Sequence, residues 1–145
     1  MDLLRGQRFK LEQVGVNSKL KLEVDMVLNS NLELDMSCFG VDENDNLSDD
    51  RYFIFYNQLS SPEGAIKKEN NKDTFYIDFS LLPKTIKKII LSISIDGNGN
   101  IKEVINEGTI KFSNEKEVVA SFNFKGQEYT TEKSIVLLEI YLKDN

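Results

Sequence analysis

The sequence contains no histidine, one cysteine and two prolines. Without histidine the chain lacks the usual general base near neutral pH, so Ser-His-Asp and Cys-His nucleophiles are excluded, and it lacks the commonest protein ligand for zinc. The single cysteine, Cys38, can form neither an intrachain disulfide nor a multi-thiolate metal site. These absences exclude most hydrolase templates and agree with a reducing compartment.

Alanine is also scarce, with Ala65 and Ala120 as its only occurrences, whereas Ile, Val, Phe and Tyr are plentiful. Since alanine favours helices while β-branched and aromatic residues favour strands, the composition favours sheet. The chain has no apolar run of about 18 residues, and residues 1–10 carry charge where a signal peptide would be apolar. We therefore expect a cytoplasmic protein that does not insert into a membrane.

The balance of charge is acidic, with 24 Asp and Glu against 18 Lys and Arg and a formal net charge of -6. Such a charge repels a phosphate backbone, so nucleic acid is not an expected partner. The length of 145 residues suits one ordinary domain, and residues 1–145 are therefore treated as a single folding unit with one core.

Short runs of alternating apolar and polar residues indicate strands with one buried face. In residues 19–28, for example, Leu20, Leu22 and Val24 share one side. Similar runs occur at 32–39, 51–57, 74–79, 87–95, 101–106, 109–113, 117–124 and 134–142. The sequence therefore predicts an all-β fold, a sandwich of two antiparallel sheets with at most a helical turn near residues 81–86.

Some details of this sandwich follow from the same runs. Residues 29–31 predict a hairpin between the first two runs, and residues 51–57, which are apolar on both faces, predict a central strand. Residues 60–64 contain the Pro and Gly of a turn. The expected core comprises Leu22, Val24, Leu34, Met36, Phe53, Phe55, Ile89, Leu91, Ile93 and Leu138. Cys38 is in phase with Leu34 and Met36, so it is expected to be a small buried hydrophobe.

Two loops rich in Asp and Asn, at residues 42–50 and 96–101, contain the closely spaced oxygen donors that Ca²⁺ prefers. Neither fits the EF-hand template, because Leu47 and Ile101 stand at the positions where its turn requires Gly. The same composition is typical of a solvated turn. The loops alone therefore leave both interpretations open.

The centre of the chain resembles the TerD family of tellurium-resistance and stress proteins, whose motifs there read approximately FDLDASAFLLD, SDxDFVFYNN and SPDG. The corresponding residues are 32–39 with 41–42, 48–58 and 61–64. Weaker similarity lies at 4–7, 22–25, 77–83, 89–96 and 138–141. The resemblance spans nearly the whole chain and implies a two-sheet β-sandwich that binds Ca²⁺ and acts in a bacterial stress response without a known catalytic activity.

Carried over by position, the resemblance implies calcium ligands at Asp25, Asp35 and Asn57. Oxygens from Glu69 and Asp73 and from Asp96 are expected to join them at one end of the sandwich. The family's long acidic loop is replaced here by residues 67–74, which are shorter and partly basic. Val24 also replaces the usual Trp, and the family's closing motifs have no counterpart.

Three functional hypotheses follow. The first is a calcium-responsive, non-enzymatic binding module of a bacterial tellurite or stress-resistance system, in which metal orders loops that meet a protein partner or ligand. In the second, the shortened loop has abolished the metal site and the chain is a metal-free structural or interaction domain. The third, less favoured, is a hydrolase that uses the paired carboxylates of Glu33 and Asp35.

Overall fold

The computed structural model describes residues 1–30 and 34–142. Within this part of the chain ten strands and one short α-helix are present. Their bounds are β1 (Asp2–Leu3), β2 (Lys19–Leu28), β3 (Leu34–Val41), β4 (Phe53–Ile54), β5 (Ile66–Lys68), β6 (Thr74–Asp78), β7 (Lys88–Ile95), α1 (Ile101–Val104), β8 (Ile105–Ser113), β9 (Val118–Lys125) and β10 (Ser134–Tyr141).

The strands form two sheets. Sheet A has six strands in the order β1-β9-β8-β2-β6-β5, and sheet B has four in the order β10-β7-β3-β4. All pairings are antiparallel except that of β1 with β9, which is parallel. The predicted two-sheet, mostly β fold is confirmed. Sheet A is a mixed sheet, because β1 at its edge runs parallel to β9.

The core lies between the sheets. Leu20 and Leu22 on β2 and Ile89, Leu91 and Ile93 on β7 are almost completely buried, and the inner faces of both sheets contribute to one hydrophobic cluster. Alternating burial along β2 and β7 follows the apolar pattern of the sequence. Of the expected core residues, only Leu34, Phe53, Phe55 and Leu138 are partly exposed.

The hairpin predicted at residues 29–31 is wrong. β2 pairs with β6 and β8 in sheet A, whereas β3 pairs with β7 and β4 in sheet B, so the chain crosses from one sheet to the other. Asn31 itself lies outside the described residues. Alternation shows that each strand has one buried face, but strands that pair and strands that face each other across a core give the same pattern.

The central strand predicted at residues 51–57 is also wrong. A 3-10 turn covers Asp50–Tyr52, and β4 is a two-residue strand at the edge of sheet B. Ile54 is fully buried, whereas Phe53 is half-buried and stacks on Phe39 with ring centroids 5.3 Å apart. Residues 51–57 are therefore apolar on both faces because Ile54 enters the core while Phe53 packs on an aromatic ring of the outer face.

Residues 101–104, predicted as the beginning of a strand, form α1. The Asn100 side chain caps this helix by accepting a hydrogen bond from the Glu103 N–H at 2.9 Å. Ile101 and Val104 are both fully buried, and their spacing of three fits a helical turn. Near the helical turn predicted at residues 81–86, the structure has a 3-10 turn at Phe79–Leu81.

We predict that the close approach of Gly126 to the backbone where α1 meets β8 limits substitution at Gly126. A Cβ on Gly126 would collide with the carbonyl oxygen of Ile105, so Gly126→Ala should lower the free energy of unfolding by about 2–3 kcal/mol. Gly97→Ala is the control, since a Cβ there meets nothing within 4 Å and only its positive φ of 97° costs about 1 kcal/mol. Urea denaturation measures the free energy of unfolding of both variants. Equal losses of that free energy in Gly126→Ala and Gly97→Ala would contradict the close approach at Gly126.

Candidate functional site

The six predicted calcium ligands divide between the sheets. Three belong to sheet A, Asp25 on β2, Glu69 after β5 and Asp73 before β6; the others belong to sheet B, Asp35 on β3, Asn57 after β4 and Asp96 after β7. Because neighbouring strands are antiparallel, β2 ends and β6 begins at the same end of sheet A. β3 begins and β7 ends at the matching end of sheet B. The topology thus brings Asp25, Glu69, Asp73, Asp35 and Asp96 toward one end of the sandwich, named here the calcium end, whereas Asn57 lies in the turn after β4 at the edge of sheet B.

Within that end, Asp25 and Asp35 point away from each other. Asp25 follows the buried Val24, and Asp35 precedes the buried Met36. Because side chains alternate along a strand, each carboxylate lies on the outer face of its own sheet. Asp25 is exposed and lies 3.9 Å from the Lys111 ammonium. Outer faces of a two-layer sandwich are separated by the core, so these two carboxylates cannot share an ion.

Glu69 and Asp73 also occupy different surroundings. Glu69 accepts a hydrogen bond from the Tyr76 hydroxyl, which lowers the pKa of its carboxyl, and it lies 3.8 Å from the Lys72 ammonium. Asp73 is half-buried, and desolvation raises the pKa of its carboxyl. Its backbone carbonyl accepts from the Val24 N–H at 3.0 Å, which holds this loop against β2.

The described residues do not fit the implied calcium ion. Over residues 1–30 and 34–142, no group of three or more Asp, Glu or Cys side chains is placed to hold a metal. Glu33, the other carboxylate considered for catalysis, lies outside that range. The calcium site therefore stays a prediction, without support from the arrangement of the described donors.

The Asp-rich loop at residues 42–50 bonds mainly with itself and with nearby cations. The Asp42 carboxylate accepts from the backbone N–H groups of Asn44 and Asn46 at 2.9 and 3.0 Å. Asp45, at φ 62°, lies 2.8 Å from the Lys88 ammonium, and this hydrogen bond raises the lysine's pKa. These contacts are those of a self-stabilised turn.

Cys38 is completely buried on the inner face of β3, as its phase predicts. Desolvation raises the pKa of its thiol to about 12. Since the thiolate is the reactive form of cysteine, this side chain is unsuited to chemistry with an oxyanion such as tellurite.

A large groove opens along one side of the sandwich, between β9 with β1 in sheet A and β10 in sheet B. We call it the edge groove; its volume is about 1110 Å³. Residues 4–12 form one wall and the connection at residues 79–87 closes the end. A second, smaller hollow of about 330 Å³ is shallow and lies beside Asn57.

The N-terminal wall of the edge groove is held by few contacts with the sheets. The Gln7 N–H donates to the Leu4 carbonyl at 3.0 Å, a bond within the segment itself. Phe9 contacts Phe112 of β8 edge to face, with ring centroids 6.3 Å apart. Arg5 lies over the Tyr129 ring at 5.0 Å and 3.7 Å from the Glu128 carboxylate. The segment therefore lies across the gap without pairing as a strand.

The floor of the edge groove is apolar and reaches the core. In residues 1–30 and 34–142, twelve partly buried hydrophobic residues pack against the core, and eight of them line the groove. They come from residues 3–11, from the 79–87 connection, from β9 and from the β10 side. A bulge between Val136 and Leu138 adds to this surface, because it inserts Leu137 into β10 so that both leucines are half-buried along the groove.

The rim of the edge groove is basic. Arg5, Arg8, Lys10, Lys84 and Lys87 line it. Within the described part of the chain, two carboxylates, those of Glu12 and Glu139, accompany these five cations in the lining. In a chain with a net charge of -6, this is a local reversal of sign.

Tyr141 organises one side of the rim. Its ring receives Arg8 at 5.8 Å and Lys88 at 5.0 Å, both within cation–π range. Its hydroxyl donates to the Glu139 carboxylate at 2.5 Å, which raises the pKa of Tyr141. Because the Glu139 carboxylate already accepts this hydrogen bond, it neutralises less of the positive charge of the rim.

Sequence reasoning missed the edge groove. The basic residues of its rim are separated by up to about eighty positions, and alternation cannot show which strands lie at sheet edges. The available signals were the charged N-terminal segment and the run of apolar residues near 135–138, which exceeds simple alternation.

Comparison with the sequence patterns of known protein families matches the TerD domain over residues 1–145. The chain belongs to the TerD domain family. A curated relative, the uncharacterized protein YceE of Bacillus subtilis strain 168, is 28% identical over a match that covers 75% of this chain. That match spans 64% of YceE, so the chain covers a little under two thirds of its relative's length.

Two solved structures share the TerD fold seen here. One is SAV2460, a protein of unknown function, with a TM-score of 0.64 and 15% identity, covering 88% of this chain and 82% of that one. The other is SCO6318 of Streptomyces coelicolor A3(2), described as a homologue of telluride resistance protein TerD, with a TM-score of 0.57 and 12% identity over 86% and 80%. At these identities the likeness establishes the fold.

We predict that Cys38 is unreactive in the folded protein. A thiol-reactive disulfide reagent at neutral pH should label the unfolded chain in guanidinium rapidly and the native chain only as fast as the chain unfolds, because the buried thiol is held protonated. Absorbance of the released thiolate measures both rates. Rapid labelling under native conditions would contradict the burial.

Proposed function

We propose that the chain is a non-enzymatic binding module of a bacterial tellurium-resistance or stress-response system, and that it binds a ligand in the edge groove without needing calcium. The observation that carries the proposal is the edge groove itself. Its volume of about 1110 Å³ is at the upper end for small-molecule sites, and its floor is apolar with a few polar groups at the rim, as is common in such sites. A protein partner stays a prediction.

The chemistry of the lining supports a binding role. Among the described residues that line the edge groove there is no Ser, Thr, Cys, Asp or His, and its two carboxylates are those of Glu12 and Glu139. The carboxylate of Glu139 accepts from Tyr141 and lies 3.7 Å from the Lys88 ammonium, so it is oriented by those partners. Recognition requires no such reactive group.

Independence from calcium is supported by the separate residues of the two regions. None of the six predicted ligands is among the described residues that line the edge groove. An ion held by those ligands would therefore lie outside the groove lining. The family's acidic loop is also replaced by residues 67–74, in which Lys68 donates to the Lys72 carbonyl at 2.7 Å and Glu69 meets Tyr76.

The bacterial setting comes from the family and from the names of its members. The TerD domain covers the whole chain, and one solved relative is described as a telluride-resistance homologue. No helix in the described residues is long and apolar enough to span a membrane. We propose that the module works in the cytoplasm, as the sequence predicts.

We predict that calcium has no selective effect. Calorimetric titration with Ca²⁺ should give no more heat than titration with Mg²⁺, and millimolar Ca²⁺ should leave the melting temperature unchanged. Asp35→Asn tests the alternative, with Asp2→Asn, on the edge strand of sheet A, as the matched control. Saturable calcium binding that is lost in Asp35→Asn and kept in Asp2→Asn would restore the calcium-responsive hypothesis.

We predict that narrowing the edge groove abolishes function in cells. Val136→Trp adds bulk at a groove position that is 52% exposed, so stability should change by less than about 1 kcal/mol. Val118→Trp is the matched control, since Val118 is 54% exposed on β9 and does not line the groove.

In a deletion strain challenged with tellurite, the Val118→Trp gene should restore growth and the Val136→Trp gene should not. Circular dichroism melting of both purified proteins checks that they fold equally well. Full rescue by Val136→Trp would show that the groove is not used.

A further inference from the structure

We infer that the ligand of the edge groove is an anionic amphiphile, a molecule with an acidic headgroup joined to a hydrocarbon chain. This inference rests on the proposed function, which makes the groove the binding site, and it adds the chemical class of the ligand. Two independent features of the groove, its floor and its rim, each select one half of such a molecule.

The floor selects the hydrocarbon half. It is formed by side chains that pack on the core with one surface and leave the other open, among them Leu3, Phe79, Phe122 and Leu138. Below them lie fully buried residues such as Ile110. A flexible alkyl chain can fill such an irregular apolar channel, and each methylene removed from water strengthens binding about fourfold.

The rim selects the acidic half. Arg8, Lys10 and Lys84 line the groove, are exposed, and form no salt bridge with any residue in the described ranges. Arg8 is positioned from below by the ring of Tyr141. A carboxylate or phosphate placed among these cations gains charge-assisted hydrogen bonds and completes their neutralisation.

Other classes of small ligand satisfy only part of this arrangement. A neutral apolar molecule would fill the floor and leave the three cations unpaired, and a cationic amphiphile would be repelled by the rim. A simple inorganic anion would meet the rim and leave the apolar floor in water. The rim is a basic patch on an overall acidic protein. Charge complementarity with this patch therefore favours a ligand that carries its negative charge at one end, where the rim can meet it.

The test uses monomeric detergent-like probes that share one dodecyl chain and differ in headgroup. Dodecanoate and dodecyl phosphate distinguish a carboxylate from a phosphate ligand, while dodecyltrimethylammonium and dodecyl maltoside are the cationic and neutral controls. Titration calorimetry below the critical micelle concentration should show one site that binds at least one of the anions about tenfold or more tighter than either control. Octanoate should bind more weakly than dodecanoate, as expected for a buried chain.

Charge reversal separates the rim from the net charge. The double variant Arg8→Glu with Lys10→Glu should weaken binding of the anion about tenfold or more and leave dodecyl maltoside unaffected. The double variant Lys102→Glu with Lys116→Glu changes the net charge equally at exposed positions outside the groove, and it should bind the anion as the unmodified protein does. Methyl NMR places the ligand, with shifts expected at Leu3 and Leu138.

The result overturns the inference if neither anion binds tighter than both controls, if the two double variants lose equal affinity, or if the methyl shifts fall outside the groove. Such a failure, combined with loss of function in Val136→Trp cells, would keep the groove as the binding site and assign it another ligand. If no anion binds selectively and the Val136→Trp gene also restores growth fully, the proposed function is overturned as well.

Discussion

A two-layer sandwich must cover the apolar inner faces of both sheets along both of its sides, and this chain covers the two sides unequally. On one side the short edge strands β4 and β5 contact each other, and Tyr52 donates to the Glu63 carboxylate at 2.6 Å across the adjoining loop. On the other side the eight-residue edge strand β10 faces β9 and the two-residue β1. Among the described residues, the N-terminal segment crosses the gap there and the 79–87 connection closes one end of it, which leaves the edge groove.

Charge follows the same asymmetry. Many acidic residues lie in turns or on outer faces, where they bond with backbone N–H groups or with nearby cations, as Asp49 does with Arg51 at 2.7 Å. Arg8, Lys10 and Lys84, which form no salt bridge within the described ranges, all line the edge groove. A site that combines apolar surface with unpaired charge recognises a ligand by its shape and its polarity together. We propose that this distribution gives the TerD domain, whose described residues form no metal cluster, a means of binding a ligand.

Much of the fold could be predicted from local pattern. The bounds of β2 match the predicted run, and β7 matches it to within one residue, because each strand has one inner face of Leu, Ile or Val opposite polar residues. The pairing of strands could not be predicted, since alternation does not distinguish a neighbour within a sheet from a partner across the core. Ile101 and Val104 show the same limit, because their spacing fits a helix only once the Asn100 cap is recognised. Strand topology groups five of the six predicted ligands toward one end, but Asp25 and Asp35 lie on the outer faces of different sheets, which alternation along a single strand could not show.

The central claim is that one side of the core is open to solvent in the free protein. Paramagnetic relaxation of methyl protons by a neutral, water-soluble nitroxide measures this directly, because the effect depends on how closely the probe approaches each methyl group. The account predicts strong relaxation for the groove methyls of Leu3 and Leu138 and weak relaxation for those of Leu22 and Ile93, which are fully buried between the sheets. Equal protection of all four residues would show that the N-terminal segment closes the groove, and it would contradict the account.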